Sequence, residues 1–145
     1  MRIAVIADTH DRLPAHVLEA IRDADEIWHL GDVTTRALLR EVQQLGPPVR
    51  IVRGNCDSIT DWPETAAFEI EGFSVLLVHI PPKRPPAGVD LVFHGHTHVP
   101  RNERVGYTRF YNPGCITRPN RGAPASFAWL NLENGKPPEW ELVRV

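Results

Sequence analysis

The 145-residue sequence is poor in several things that would point elsewhere. Its two cysteines, Cys56 and Cys115, are too few for a disulfide framework in a chain of this length, so a reducing compartment is expected. The apolar stretch after Arg2 is only Ile3 to Ala7 and runs straight into Asp8. It is too short for a secretory core and far too short to span a bilayer. No membrane association is expected, and a cytoplasmic location is. Lysine occurs only as Lys83 and Lys136, and 16 basic residues against 18 acidic ones leave a formal charge of −2. That balance supplies no general positive field, which argues against a nucleic-acid partner. With no repeat, low-complexity tract or linker, residues 1–145 are expected to form one domain.

What is present is a 42% apolar fraction, enough for a real core, and 14 prolines, which stiffen the loops. The first third alternates strand and helix. Ile3 to Ala7 has the continuous apolar pattern of a strand buried on both faces. Pro14 suits a first helical position, and Val17, Leu18 and Ile21 form a helical stripe. Ile27 to Leu30 reads as a second strand. Thr34 or Thr35 can cap a second helix with Leu38, Val42 and Leu45 on one face, stopped by Gly46-Pro47-Pro48. Val49 to Val52 reads as a third strand, so this third predicts a parallel sheet with right-handed crossovers. The remainder is mostly strand: Ala67 to Ile70, Ser74 to Val78, Val89 to Phe93, Thr108 to Tyr111, Ser126 to Leu132 and Trp140 to Val143. Asn134-Gly135 signals a hairpin between the last two, and four prolines make Ile80 to Gly88 a loop. The expected fold class is α/β, a sandwich of two β-sheets flanked by helices. Exposed sheet edges leave a homodimer open.

The chemistry sits where the strands stop. The first ends in Asp8-Thr9-His10, the second in Gly31-Asp32, the third in Gly54-Asn55-Cys56-Asp57, a later one in His79, and another in Gly95-His96-Thr97-His98. Any one of these could be an ordinary polar turn, but five in succession at strand ends need many coincidences, because loops at the carboxyl ends of strands are where ligands gather. Carboxylate, amide and imidazole donors together suit Mn, Fe, Ni, Co or Zn, with Mn favoured. Seven donors (Asp8, His10, Asp32, Asn55, His79, His96 and His98) are too many for one tetrahedral ion. They suit two ions about 3.5–4 Å apart, the spacing that serves in-line displacement at phosphorus. Candidates for catalytic roles are Asp32, Cys56 and Asp57; candidates for contact with phosphate are Asn55, Arg53 and Asn112. His94 reads as a packing or supporting residue, His29 as structural, His16 as solvated and Cys115 as packing.

In this order the pieces D-x-H, G-D, G-N, His and G-H-x-H resemble the calcineurin-like metallophosphoesterase superfamily. The Gly54-Asn55-Cys56-Asp57 variant and Asn112-Pro113-Gly114 are similar to its small bacterial and archaeal phosphodiesterase branch. The resemblance implies one divalent ion on Asp8, His10, Asp32 and His98, and a second on Asp32, Asn55, His79 and His96, with Asp32 bridging. It implies hydrolysis of a small phosphate ester by a metal-bound hydroxide, phosphodiesters favoured over phosphomonoesters. A metal-bearing binding scaffold is the alternative from another class. Two departures stand out. Cys56 replaces the histidine that many members carry to assist the leaving group or hold phosphate. The loop after His79 is short and proline-rich, without the further histidine and helical excursion common in that branch.

Overall fold

The computed structural model describes residues 1–145. Strands β1 (Arg2–Ile6), β2 (Glu26–His29) and β3 (Val49–Ile51) alternate with helices α1 (Ala15–Ile21) and α2 (Arg36–Gln43). Strands β4 (Thr65–Ile70), β5 (Phe73–Val78), β6 (Leu91–Phe93), β7 (Arg101–Val105), β8 (Thr108–Asn112), β9 (Ser126–Asn131) and β10 (Glu139–Arg144) follow. They form two five-stranded sheets, ordered β10-β9-β1-β2-β3 and β4-β5-β6-β8-β7. In the first, β1, β2 and β3 run parallel and β9 and β10 close the edge antiparallel. In the second, β5, β6 and β8 run parallel between two hairpins. No helix is long and apolar enough to cross a membrane.

The unbroken apolar run of β1 is explained by what covers each face. Ala4 and Ile6 join Val17, Ile21, Leu38 and Val42 in a core beneath the helices. The alternate residues Ile3, Val5 and Ala7 face Val75, Leu77, Leu91 and Phe93 in a core between the sheets. Side-chain alternation along a strand therefore feeds two cores at once. Both helices lie on the first sheet, so the layers run helix, sheet, sheet. No helix packs on the second sheet, where Arg101 lies 4.4 Å over the Phe110 ring.

The helix ends follow their chemistry. Thr35 caps α2, its Oγ1 accepting from the Leu38 N–H at 3.3 Å. Pro14 precedes α1 in extended conformation rather than forming its first turn. Strand β7 is the element that hydrophobic patterning does not reveal: Arg101-Asn102-Glu103-Arg104-Val105 is polar because it is an edge strand held to β8 by its backbone. The connection from β9 to β10 is also longer than a two-residue turn. Glu139 pairs with Asn131, and Pro137-Pro138 delay the return of the chain.

Aromatic packing fills the space between the sheets. Phe93 is fully buried, 5.2 Å from Trp28, 5.1 Å from Tyr111 and 5.9 Å from Trp140 between ring centroids. Phe93→Ala is expected to lower stability by about 3–5 kcal/mol. A urea denaturation curve showing less than about 1 kcal/mol of loss would contradict this placement of the inter-sheet core.

Candidate metal centre

Parallel pairing sends the ends of β1, β2 and β3 to one edge of the first sheet, and those of β5 and β6 to the facing edge of the second. Backbone hydrogen bonds then lock the loops beyond them. Asp8 N–H donates to Gly31 O at 3.0 Å, His10 N–H to Asp32 O at 2.9 Å, and Gly95 N–H to His79 O at 3.1 Å. The seven predicted donors converge at this seam, Asp8, His10, Asp32 and Asn55 from one sheet and His79, His96 and His98 from the other.

Each carboxylate is anchored by one oxygen and presents the other. Asp8 Oδ2 accepts from the His96 N–H at 3.0 Å, and Asp32 Oδ1 accepts from the Cys56 N–H at 2.8 Å. The free oxygens face imidazole nitrogens. Asp8 Oδ1 lies 3.4 Å from His98 Nε2, 3.8 Å from His79 Nε2 and 3.9 Å from His10 Nε2. Asp32 Oδ2 lies 3.3 Å from His79 Nε2 and 3.7 Å from His10 Nε2. Asn55 Oδ1 sits 2.8 Å from His79 Nε2 and 3.0 Å from His96 Nδ1, and the Nε2 atoms of His10 and His98 are 3.4 Å apart. Donors about 2.0–2.1 Å from one ion at tetrahedral angles stand about 3.4 Å from each other, so these spacings suit ions at the centre.

Two further observations fit the donors to cations. Asp8 Oδ1 is completely buried and has no hydrogen-bond partner, a costly state for a carboxylate oxygen unless a cation meets it. The outward nitrogens of two imidazoles are already committed: His79 Nδ1–H donates to Leu30 O at 2.7 Å and His98 Nδ1–H to Arg118 O at 2.6 Å. Such carbonyl partners fix the tautomer and turn a bare Nε2 lone pair inward, the arrangement typical of metal-ligating histidines.

The same groups pull each other's proton affinities apart. Burial pushes the Asp8 carboxyl up to about 6 against the opposing charges of His79 and His98. Burial also raises Asp32, but hydrogen bonds from His79 and the Cys56 N–H outweigh it and hold that carboxyl below its ordinary range. His79 is pushed up, burial being outweighed by its hydrogen bond to Asp32 and the charge of Asp8. Burial lowers His10 and His96, and burial with the neighbouring Asp32 charge raises the Cys56 thiol.

The backbone bends sharply to achieve this. Asp8, His10, Asp32, His96 and His98 all have φ between 45° and 69°, in the left-handed region. Asp and His tolerate that region better than most residues, but each visit costs roughly 1–3 kcal/mol. Gly54 is needed for close approach: a Cβ there would collide with Asp32 Oδ1 and the Asp32 backbone nitrogen. At Gly95 an added Cβ would stand 2.8 Å from Asp8 Oδ2.

Two residues expected to touch reacting groups are placed otherwise. Asp57, expected as catalytic, has both oxygens occupied: Oδ2 accepts from the Asp32 and Gly54 N–H groups at 2.9 and 2.8 Å, and Oδ1 from the Thr34 N–H at 2.7 Å. It clamps the second donor loop to the third. Asn112, expected at phosphate, is fully buried; its Nδ2 donates to Gly95 O and Thr97 Oγ1, and its Oδ1 accepts from the Gly114 N–H. It sets the turn that carries His96 and His98. Arg53 reaches the rim, where Glu64 holds its guanidinium at 2.5 Å. Cys56 is exposed beside the donors, and His16 is exposed on α1.

His29 and His94 support the centre from beneath. His29 Nδ1 accepts from the Gly31 N–H at 3.2 Å, so its Nε2–H donates to Thr9 Oγ1 at 2.9 Å, bracing the loops that carry Asp8 and Asp32. His94 donates through Nδ1–H to Gly95 O at 3.0 Å and accepts from Arg101. Cys115 does more than pack: its thiol donates to Asp8 O at 3.1 Å while its sulfur accepts from the Arg118 N–H. Sequence reading overlooked Arg118, whose carbonyl orients His98 and whose charge lowers the proton affinity of His10. No motif marks it; the supporting contact is made by backbone.

Residues 1–135 match the calcineurin-like phosphoesterase superfamily domain. A probable metallophosphoesterase of Methanothermobacter thermautotrophicus is 36% identical over 163 aligned residues, spanning 100% of this chain and 93% of that protein. Phosphodiesterase YfcE of Escherichia coli K12 is 30% identical over 161 residues, 90% of this chain and 88% of that protein. Its solved structure gives a TM-score of 0.77 at 26% identity over the full length of both chains. The solved Vps29 of Entamoeba histolytica complexed with zinc shares the fold, with a TM-score of 0.79 at 22% identity over 99% of each chain. Fold and site together define a metal-dependent phosphoesterase. The chain belongs to the calcineurin-like phosphoesterase superfamily, among its small bacterial and archaeal members.

Two expectations follow from the supporting residues. Asp57→Asn keeps the shape but weakens the backbone clamp, and should reduce metal affinity about 10–100-fold in titration calorimetry; unchanged affinity would show that the clamp does not position the donors. Complete burial holds His29 neutral, with its pKa lowered to about 3. Below an unfolded pKa of about 6.5 the unfolded chain takes a proton that the fold refuses, so this contribution is complete above pH 6.5 and shrinks as pH falls. The slope amounts to about 1.4 kcal/mol per pH unit for one proton. Metal-free His29→Gln should therefore lose stability less steeply than the native chain between pH 6.5 and 5, and parallel slopes would refute it.

Proposed function

We propose that the protein hydrolyses small phosphodiesters with two divalent metal ions, manganese favoured and nickel, cobalt, iron or zinc as alternatives. Asp8, His10, Asp32 and His98 would hold one ion and Asp32, Asn55, His79 and His96 the other, with Asp32 shared. The observation that carries this reading is the unpartnered, fully buried Asp8 Oδ1 facing the Nε2 atoms of His10, His79 and His98, with the Asp32 carboxylate facing two of the same imidazoles. When bound, such ions supply a solvent nucleophile at neutral pH and positive charge for an anionic ester.

The chain's own groups support a diester over a monoester. A monoester dianion calls for added positive side chains, yet Arg53 is held by Glu64 and Arg101 by Glu103, which leaves Arg118, whose field reaches His10, and Arg121 in the neighbouring cleft. A diester carries one negative charge and two arms. Two clefts of about 530 and 430 Å³ open beside the centre, one touching His96 and Thr97, the other Asn55 and His79. Each is large enough for a small arm. YfcE, a relative with a named activity, is a phosphodiesterase. Cys56, where many superfamily members have histidine, holds its proton too tightly to serve as an imidazole would, so esters with good leaving groups are favoured.

The test combines metal analysis with paired assays. Native protein reconstituted with manganese should bind two ions per chain and cleave bis(p-nitrophenyl) phosphate faster than p-nitrophenyl phosphate. Asp32→Asn should abolish both activities while leaving the circular dichroism spectrum unchanged. A single bound ion, a preference for the monoester, or full activity in Asp32→Asn would each overturn the corresponding part.

A further inference from the structure

The seven donors do not exhaust the groups around this centre. The Cys56 sulfur lies on the exposed side, and its ligand atom falls within 4.8 Å of those of His10 and Asp32. The position is fixed from two directions. The Cys56 N–H is bound to Asp32 Oδ1 at 2.8 Å, and Asn55 Nδ2 donates to the sulfur at 3.6 Å. Cys56 therefore cannot drift from Asp32 without breaking the bond that anchors that carboxylate. Nor is the sulfur a lone thiol on a surface: its two neighbours in that group, His10 and Asp32, themselves flank the buried and unpartnered Asp8 Oδ1, which lies 3.9 Å from His10 Nε2.

We propose that Cys56 is an additional metal ligand, which joins His10 and Asp32 on the ion those residues would hold and makes its donor set selective for thiophilic divalent ions. The inference rests on the metal-centre reading above and adds a ligand to it. Its selectivity comes from softness. Magnesium and manganese take oxygen and nitrogen donors and leave a thiol alone, whereas cobalt, zinc and cadmium bind thiolate well. On capture, the thiol proton passes to solvent, a sulfur–metal bond forms and one water departs; no electron is transferred. The centre then distinguishes soft from hard ions through one sulfur donor on its exposed side. Histidine at this position would supply a borderline donor and much weaker discrimination.

Cobalt(II) is the probe, because it reports occupancy and sulfur ligation separately. It is added to metal-free full-length protein and to Cys56→Ser. Visible d–d bands are expected in both proteins, and a near-ultraviolet thiolate-to-cobalt charge-transfer band in the native chain only. In parallel, a thiol-specific disulfide reagent should modify Cys56 in the metal-free and magnesium-treated protein, and cobalt(II) should stop that reaction. Cys115 is buried and serves as the internal control. Visible bands without the charge-transfer band, with Cys56 still reactive, would overturn this proposal and leave the metal centre standing. A charge-transfer band that survives in Cys56→Ser would also overturn it. Absence of any cobalt spectrum would overturn the metal-centre reading and this inference together.

Discussion

The structure turns on an electrostatic debt at the seam of two sheets. Two buried carboxylates, Asp8 and Asp32, each keep one oxygen free of hydrogen bonds from the backbone and aim it at bare imidazole nitrogens. Neutral imidazole lone pairs and carboxylate oxygens repel each other, so the arrangement is satisfied only by positive charge between them. Without metal, protons take that part incompletely: burial pushes Asp8 toward its protonated state, and the two carboxylates draw a proton onto His79 against its own burial. Divalent ions remove the conflict and make the same groups reactive toward an anionic ester.

Holding this arrangement strains the backbone. Five of the donors stand in the left-handed region, as do their neighbours Asp11 and Thr34. Strain of this kind persists where surrounding structure over-determines it. Here Asp57 collects three amides, Asn112 ties the turn of His96 and His98, and His29 and Cys115 fasten the first loop. None of these four groups presents an unused polar atom to substrate. They act by aiming others, and the sandwich behind them is stiff enough to bear the load.

How much of this was readable from sequence depends on which physics carries each feature. Ile3 to Ala7 shows its double burial in its own composition, and the glycines before Asp32, Asn55 and His96 mark places where chains approach closely. Donor identity was likewise legible, because coordination chemistry restricts residue type. Strand β7 was not, because an edge strand held by its backbone needs no apolar pattern. The roles of Asp57 and Asn112 were hidden for a related reason: a carboxylate or carboxamide that binds neighbouring backbone and one that binds a substrate or ion look alike until its partners are known. Arg118 left no trace, since its carbonyl orients His98 and any residue has a carbonyl.

The origin of the donors in both sheets has an implication for biosynthesis. Asp8 and His98 are separated by most of the chain, and the second sheet's donors emerge long after the first sheet's carboxylates. An incomplete chain offers an arriving cation only scattered oxygens and one imidazole, so selective loading waits until the sandwich has closed. A cation held by donors of both sheets would rivet one layer to the other across an interface otherwise made of interlocking aromatic and aliphatic groups. Its removal would therefore be felt first at the joint between the sheets, where its ligands meet.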